Sequence, residues 1–360
     1  MAFDATKPYN DLPELPPKVD IETKAVLRKT ITAGRVLAEL KGIGEAIPDQ
    51  SILINSIVLQ EAKASSEVEN IVTTNDALFR ALAVDTASVD PATKEVLSYR
   101  QALWTGFHDV MRRNVLTTNA FIKIVNTIKQ DTAGIRNIPG TALVNPSNRR
   151  VVYTPPEGET VIREKLRNME EYIHSSDGPD PLVKMAVIHY QFEAIHPFLD
   201  GNGRTGRILS ILYLVCQGLL DLPVLYLSRY IIENKSEYYQ RLRNITEKQD
   251  WEPWILYMLE AIEQTAVLTR ERILEIKELL NETIEVVKSR LPKVYSKELV
   301  ELLFRQPYIK GQTLVDEGLA KRQTAATYLK ELERIGLLDS VKVWKERLYL
   351  NTKLCELLSR

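Results

Sequence analysis

Between two strongly apolar runs lies a twelve-residue segment that no single helix can cross: His196-Pro-Phe-Leu-Asp-Gly-Asn-Gly-Arg-Thr-Gly-Arg207. Pro197 disfavours the α region for the residue before it, so the helix that opens at Pro181 must end near His196. Leu182, Met185, Ile188, Phe192 and Ile195 give that helix one apolar face. Asp200-Gly201 and Asn202-Gly203 then favour positive φ and turn backbone N–H groups inward. A second apolar helix starts at about Arg204 and runs to Leu220. The chain is thereby committed to a helix pair. Their junction carries an imidazole, a carboxylate and two guanidiniums.

The chemistry of that junction follows from its parts. The N-terminus of the second helix offers free N–H groups and the positive end of its dipole. Arg204 and Arg207 are three residues apart and share a face. A nest of N–H groups, a helix N-terminus and two guanidiniums predict a polyphosphate site. Asp200 supplies a hard oxygen for Mg²⁺ beside the phosphates. His196 stands where a base would meet a nucleophile attacking phosphorus. The chain has no G-x-x-x-x-G-K-[ST], so this is not a P-loop. Gly201, Gly203 and Gly206 spell G-x-G-x-x-G, but they follow a helix rather than a strand, which excludes a dinucleotide βαβ unit.

Helical periodicity also dominates the rest of the 360 residues. Residues 1–22 are Pro-rich and predict an extended arm. Helices are expected over 24–40, over 51–72 after Pro48, from Pro91 towards Val110, and over 119–130. The 51–72 helix carries Ile54, Val58, Ala62 and Ser65 on one stripe. Residues 140–158 alternate apolar and polar around Pro146-Ser-Asn, and predict a β-hairpin that must lie over something to be stable. Helices resume at Gly158 and fill 228–245 and 251–290, the last long, charged and connector-like. Residues 293–360 hold 13 Lys/Arg against 9 Asp/Glu, a net of +4. Helices over 296–305, 312–317 and 322–335, then two strands around Lys345-Glu346, give the element order of a winged helix-turn-helix. Lys321, Arg322, Gln323, Thr324, Thr327 and Lys330 form the polar side of its third helix, a face for DNA or for another protein.

Composition narrows the class further. A net charge of −1 gives no global field towards nucleic acid or membrane. Only two cysteines, Cys216 and Cys355, fit a reducing compartment. Met1–Asn10 lacks the pattern of a secretory signal, and polar residues and Pro223 interrupt the apolar stretch 208–227. The expectation is a cytoplasmic protein with no membrane span. His189 falls one turn from Met185 and reads as a core histidine. His108-Asp109 lacks the further ligands of a metal phosphohydrolase. Glu193-x-x-His196 and Glu171-x-x-His174 have the spacing of di-iron bundles, but Ser175-Ser-Asp-Gly-Pro ends the second helix at once.

The twelve-residue segment resembles the Fic family motif H-x-F-x-[DE]-G-N-G-R-x-x-R, matched at every fixed position. Ser65-Ser-Glu-Val-Glu69-Asn70 is similar to that family's inhibitory motif [ST]-x-x-x-E-[GN]. The resemblance implies a mainly α fold: a Fic-type helical core with a β-hairpin flap, plus a C-terminal winged helix-turn-helix. It divides the chain into an N-terminal arm with inhibitory helix (1–94), a catalytic core (95–265), a connector helix (266–290) and the winged unit (291–360). It implies a protein adenylyltransferase that moves AMP from ATP to a Tyr, Thr or Ser hydroxyl, with His196 as general base and Phe198 as loop anchor. Asp200 would hold Mg²⁺; Gly201, Asn202 and Gly203 would cradle phosphates; Arg204 and Arg207 would bind the outer ones. Asn234 would read adenine, with Tyr238 or Tyr239 nearby. The flap, 141–154, would hold a target protein. Ser65, Glu69 and Asn70 would inhibit, Glu69 pairing with Arg207 and Ser65 orienting the carboxylate. De-AMPylation by the same site, DNA regulation through 291–360, self-modification and a homodimer stay open.

Overall fold

The computed structural model describes all residues except 1–2, 45–48, 84–88, 133, 146, 344–345 and 360, and leaves the side chains of residues 54 and 343 undescribed. Pro48, Pro146, Lys345 and the Ile54 side chain, each used above, lie outside the described set. The arm up to residue 23 forms no helix or strand and is turned rather than extended in its first half, where Lys7 N–H donates to the Asp4 carbonyl and Leu12 N–H to the Tyr9 carbonyl. It is tied down by Leu15, whose N–H donates to Asn168 Oδ1 (2.8 Å) and whose carbonyl accepts from Asn168 Nδ2 (3.0 Å).

α1 (Lys24–Gly44) buries Val26, Ala33, Leu37 and Leu40 at helical spacing. α2 (Gln50–Val68) is capped by Asp49, whose side chain accepts from Ser51 N. It ends four residues before the expected Val72, because Asn70 takes the left-handed conformation (φ 62°) and stops it. α3 (Asn75–Ala83), α4 (Pro91–Arg113) and α5 (Thr118–Lys129) follow. α4 starts on an Asp90 cap with Pro91 in its first turn, the position where a missing N–H costs nothing.

β1 (Leu143–Val144) and β2 (Val151–Tyr153) form the antiparallel hairpin, with Leu143 opposite Tyr153. So short a hairpin needs support. It comes from the Tyr153 hydroxyl, which donates to the Ala194 carbonyl at 2.7 Å, and from the arm, where Tyr9 N–H donates to the Thr154 carbonyl at 3.0 Å. α6 (Glu159–His174) leads to the central pair, α7 (Pro181–Ile195) and α8 (Asn202–Cys216). Both are buried on nearly every side, as helices apolar all round must be. α8 starts two residues before Arg204 and stops at Cys216 rather than Leu220, because Gly218 adopts a left-handed φ of 67°.

α9 (Leu227–Glu233) and α10 (Lys235–Lys248) flank the pair. α11 (Trp251–Arg290) runs unbroken through the expected start of the connector. It is no solvated spacer: Ile273, Ile276, Leu280 and Val287 are buried along its second half. Beyond it come α12 (Lys297–Arg305), β3 (Tyr308–Ile309), α13 (Gly311–Asp316), α14 (Arg322–Arg334), β4 (Asp339–Val343), β5 (Glu346–Leu350) and α15 (Thr352–Ser359). The strands form an antiparallel sheet in the order β3-β5-β4. β3 and α15 are additions to the expected elements. This unit packs on α2 and α3: Arg305 Nε donates to Asp49 Oδ2 (2.8 Å), and the Tyr308 hydroxyl to Asp76 Oδ1 (2.6 Å). Among the described residues no helix is long and apolar enough to cross a membrane.

Candidate active site

His196 closes α7 in the left-handed conformation (φ 49°, ψ 59°). Its N–H still donates to the Phe192 carbonyl (3.0 Å), while Pro197 bars a further helical turn. Its carbonyl is gripped by Arg136, a residue the motif reading missed. Arg136 Nε donates to the His196 carbonyl at 2.7 Å, and Nη2 reaches the carbonyls of Ile195 (3.3 Å) and Pro156. Arg136 is only 3% exposed, and its partners lie 20 to 60 residues away, so no local pattern announces it. Burial, and then the Arg136 charge, push the His196 imidazole down to about 4, against a backbone hydrogen bond at Glu193 that favours the charged form. The ring is neutral at neutral pH, the state a base requires.

The loop after His196 is locked from inside. Phe198 is buried, and Asn202 clasps it: Oδ1 accepts from Phe198 N (2.9 Å) and Nδ2 donates to the Phe198 carbonyl (2.7 Å). Gly201 (φ 84°) makes the turn into α8, where a Cβ would lie 3.1 Å from Val125. The first turn of α8 therefore opens into the site with no side-chain cap on its N–H groups.

The two arginines are both buried and both engaged. Arg207 Nε donates to Ser65 Oγ, and Nη2 to the Ser65 carbonyl and to Glu69 Oε1, each at 2.8 Å. The Glu69 carboxylate lies against the first turn of α8, in the space that a Cβ on Gly203 would need. Burial alone would raise the Glu69 pKa; Arg207, backed by Arg204 and Lys235, overcomes it and holds the carboxylate below the usual range. Ser65 corrects an expectation. It braces the guanidinium of Arg207 rather than the carboxylate of Glu69. Asn70 takes Lys235 Nζ on its Oδ1 at 3.2 Å, tying the end of α2 to α10.

Arg204 Nη1 donates to Glu95 Oε1 on α4 (2.6 Å). Lys129 bridges the same carboxylate (3.3 Å) to Asp200 Oδ2 (2.5 Å). Burial favours protonation of Asp200, but Lys129 and Arg204 outweigh it and keep the group ionised and facing solvent. Glu95 and Lys129 are further site residues without a sequence signal.

Beside Glu69 a cavity of about 560 Å³ opens between the flap and α10, lined by Leu143, Tyr153, Glu193, Lys235, Tyr239 and Leu242 among others. Asn234 is not in its lining: its Nδ2 turns back to the Tyr230 carbonyl (3.0 Å). Tyr238 is part of the core, its hydroxyl 2.7 Å from Nε2 of His189, whose Nδ1 meets Ser210 Oγ at 2.8 Å. Among the described residues no cluster of His, Cys, Asp and Glu could hold a metal by itself.

Residues 115–214 match the Fic/DOC family, 27–108 the Fic/DOC family N-terminal region, and 279–354 the C-terminal domain described as protein adenylyltransferase SoFic-like. The chain belongs to the Fic/DOC family. Its curated relatives include protein adenylyltransferase fic-1 of Caenorhabditis briggsae, 34% identical over 29% of this chain and 20% of that protein. Another is a probable protein adenylyltransferase of Aquifex aeolicus, 34% identical over 26% of this chain and 27% of that one. The matched region thus spans about a quarter or less of those relatives' length. A Fic family protein from Desulfovibrio desulfuricans G20 shares the fold over 93% of this chain and 98% of its own, with a TM-score of 0.57 at 18% identity. Fic-1 from C. elegans shares it over 71% of this chain and 75% of its own, with a TM-score of 0.51 at 17% identity. The Fic/DOC match covers α5, the flap, α6, α7 and nearly all of α8, and so includes the α7–α8 junction where the site described above is assembled.

Proposed function

We propose that this Fic protein is an adenylyltransferase that moves AMP from ATP to a protein hydroxyl, and that Glu69 holds it in check. The observation that carries the reading is the Glu69–Arg207 pair: a carboxylate sits on the arginine and against the α8 N-terminus, where a polyphosphate would bind. An anion already in the cradle competes with the γ-phosphate for Arg207. ATP can then settle only with its α-phosphate displaced, and ~1 Å of displacement can cost ~10²-fold in rate.

In the released state the α8 N–H groups and the guanidinium of Arg207 take the phosphates. The neutral His196 imidazole removes the proton of the target hydroxyl, the oxygen bonds to the α-phosphorus, and pyrophosphate leaves. Asp200 suits Mg²⁺: it is ionised, solvent-facing and needs only exchange its Lys129 partner, and the ion when bound would neutralise phosphate charge. The flap, 141–154, would hold the target segment by strand-like pairing. We read the C-terminal unit as a winged helix, and its hold on the α2 cap through Arg305 favours a regulatory role within the chain over DNA contact. Incubation of lysate proteins with labelled ATP tests the proposal. Glu69→Gly should label a hydroxyl side chain and Glu69→Gly/His196→Ala should not. If Glu69→Gly instead loses the ability to strip AMP from a modified target, the de-AMPylase direction holds.

A further inference from the structure

Glu193 lies one turn before His196 on α7, lines the 560 Å³ cavity, and takes no part in the mechanism above. Its Oε1 is buried with no hydrogen-bond partner among the described residues. A buried carboxylate oxygen without a partner is costly, and native proteins seldom keep one without a use. The fold also makes room for it. A Cβ on Gly206 would come within 2.6 Å of Glu193 Oε1 and 3.1 Å of the Phe192 ring, so the first turns of α8 carry a helix-weakening glycine beside this carboxylate. The wall around it joins apolar side chains such as Val68, Leu143, Tyr153 and Leu242 to the charged Glu69, Lys235 and Arg243. Polar groups set among apolar ones in a pocket of this size are what orient a bound small molecule.

We infer that Glu193 is a specificity-determining residue for the nucleotide, accepting a hydrogen bond from a donor on the nucleoside that enters this cavity. The inference rests on the adenylyltransferase reading, which places the triphosphate at the mouth of the cavity beside Glu69 and Arg207 and leaves base and sugar to fill it. An ionised carboxylate only accepts hydrogen bonds, so it selects a ligand that carries a donor. Two parts of an adenine nucleotide qualify, the exocyclic amine of the base and the ribose hydroxyls. Burial pushes the Glu193 pKa up to about 7, with Glu69 adding to it and Arg207 opposing. A ligand donor is what would settle the group in its ionised form.

The test is calorimetric titration of the full chain with magnesium nucleotides, comparing Glu69→Gly with Glu69→Gly/Glu193→Ala. The ligands are ATP, purine riboside triphosphate (which lacks the amine), 2′-deoxy-ATP and 3′-deoxy-ATP. Loss of a hydrogen bond to a charged group should weaken ATP about tenfold to a hundredfold. The analogue that lacks the donor should bind weakly to the parent and lose nothing more in the Glu193→Ala variant, which identifies the amine or the hydroxyl as the source. The ligand-free variant should melt no lower than its parent, since the change removes a buried unpaired carboxylate. Glu193→Gln, which keeps the shape and one acceptor, should show the same order of analogues with a smaller loss. Equal affinity for ATP in parent and variant would overturn the inference. So would an equal loss for all four nucleotides, or a lowered melting temperature together with the loss. A parent that binds ATP in the predicted pattern yet labels no hydroxyl would sink the adenylyltransferase reading and leave this one standing.

Discussion

His196 and Arg136 work as one unit. The imidazole hangs from a backbone turned into the left-handed region, and the Arg136 guanidinium fastens three carbonyls around that turn. Replacing Arg136 with Ala leaves those carbonyls unpaired. We expect a loss of about 3 kcal/mol in urea unfolding, and slower single-turnover transfer in the Glu69→Gly background even at saturating ATP. Unchanged unfolding would show that the carbonyls find other partners. The imidazole itself gives a pH prediction. His196 is pushed down to about 4 and His189 to about 3, both chiefly by burial. NMR titration of the four histidines, assigned by His196→Ala, should find these two neutral through pH 5.5. As the pH falls below ~6.5 the unfolded chain binds their protons first, so each costs stability on the acid side. A His196 midpoint near 6.5 would contradict the buried, Arg136-facing geometry. His196 and the glycines were legible in sequence because proline and glycine act locally. Arg136 was not, since its partners are main-chain carbonyls gathered by folding, and neither was the orientation of Asn234, whose amide turns back to Tyr230.

α2 is the element on which the proposed control rests. Its last turn and cap present Ser65 and Glu69 to the same guanidinium, and the left-handed Asn70 ends the helix just beyond them. The pair spacing was readable from sequence, but the partner of Ser65 was not. That partner is 142 residues away, so i, i+4 geometry pointed to Glu69 instead. Ser65→Ala removes one hydrogen bond to a charged donor and should cost about 1–2 kcal/mol of stability. It leaves the Glu69 contact in place, so transfer should rise by no more than about tenfold, below the rise from Glu69→Gly. Labelling rates of the three proteins side by side decide it: if Ser65→Ala exceeds Glu69→Gly, the hydroxyl rather than the carboxylate holds Arg207.

Across the whole molecule, the helical architecture follows from strong 3.6-residue periodicity, and most of the order up to α11 was legible in it, though α3 and the break between α9 and α10 at Asn234 were not. β3 and α15 were not, because a two-residue strand acquires meaning only when β5 pairs with it, Tyr308 opposite Leu350. The docking of the C-terminal unit on α2 was also invisible, since Arg305–Asp49 and Tyr308–Asp76 link residues more than 200 positions apart. The fold thus brackets one helix between the α7–α8 pair and a C-terminal unit that grips its cap. The central claim is that this helix plugs a competent AMP-transfer site. Its most direct test is the rate of labelling with ATP labelled at the α-phosphate, measured for wild type and Glu69→Gly at equal concentration and with His196→Ala added to each. The account predicts that Glu69→Gly labels itself or a target about 10²-fold faster than wild type, and that His196→Ala abolishes the gain. Equal labelling by wild type and Glu69→Gly, both dependent on His196, would contradict it.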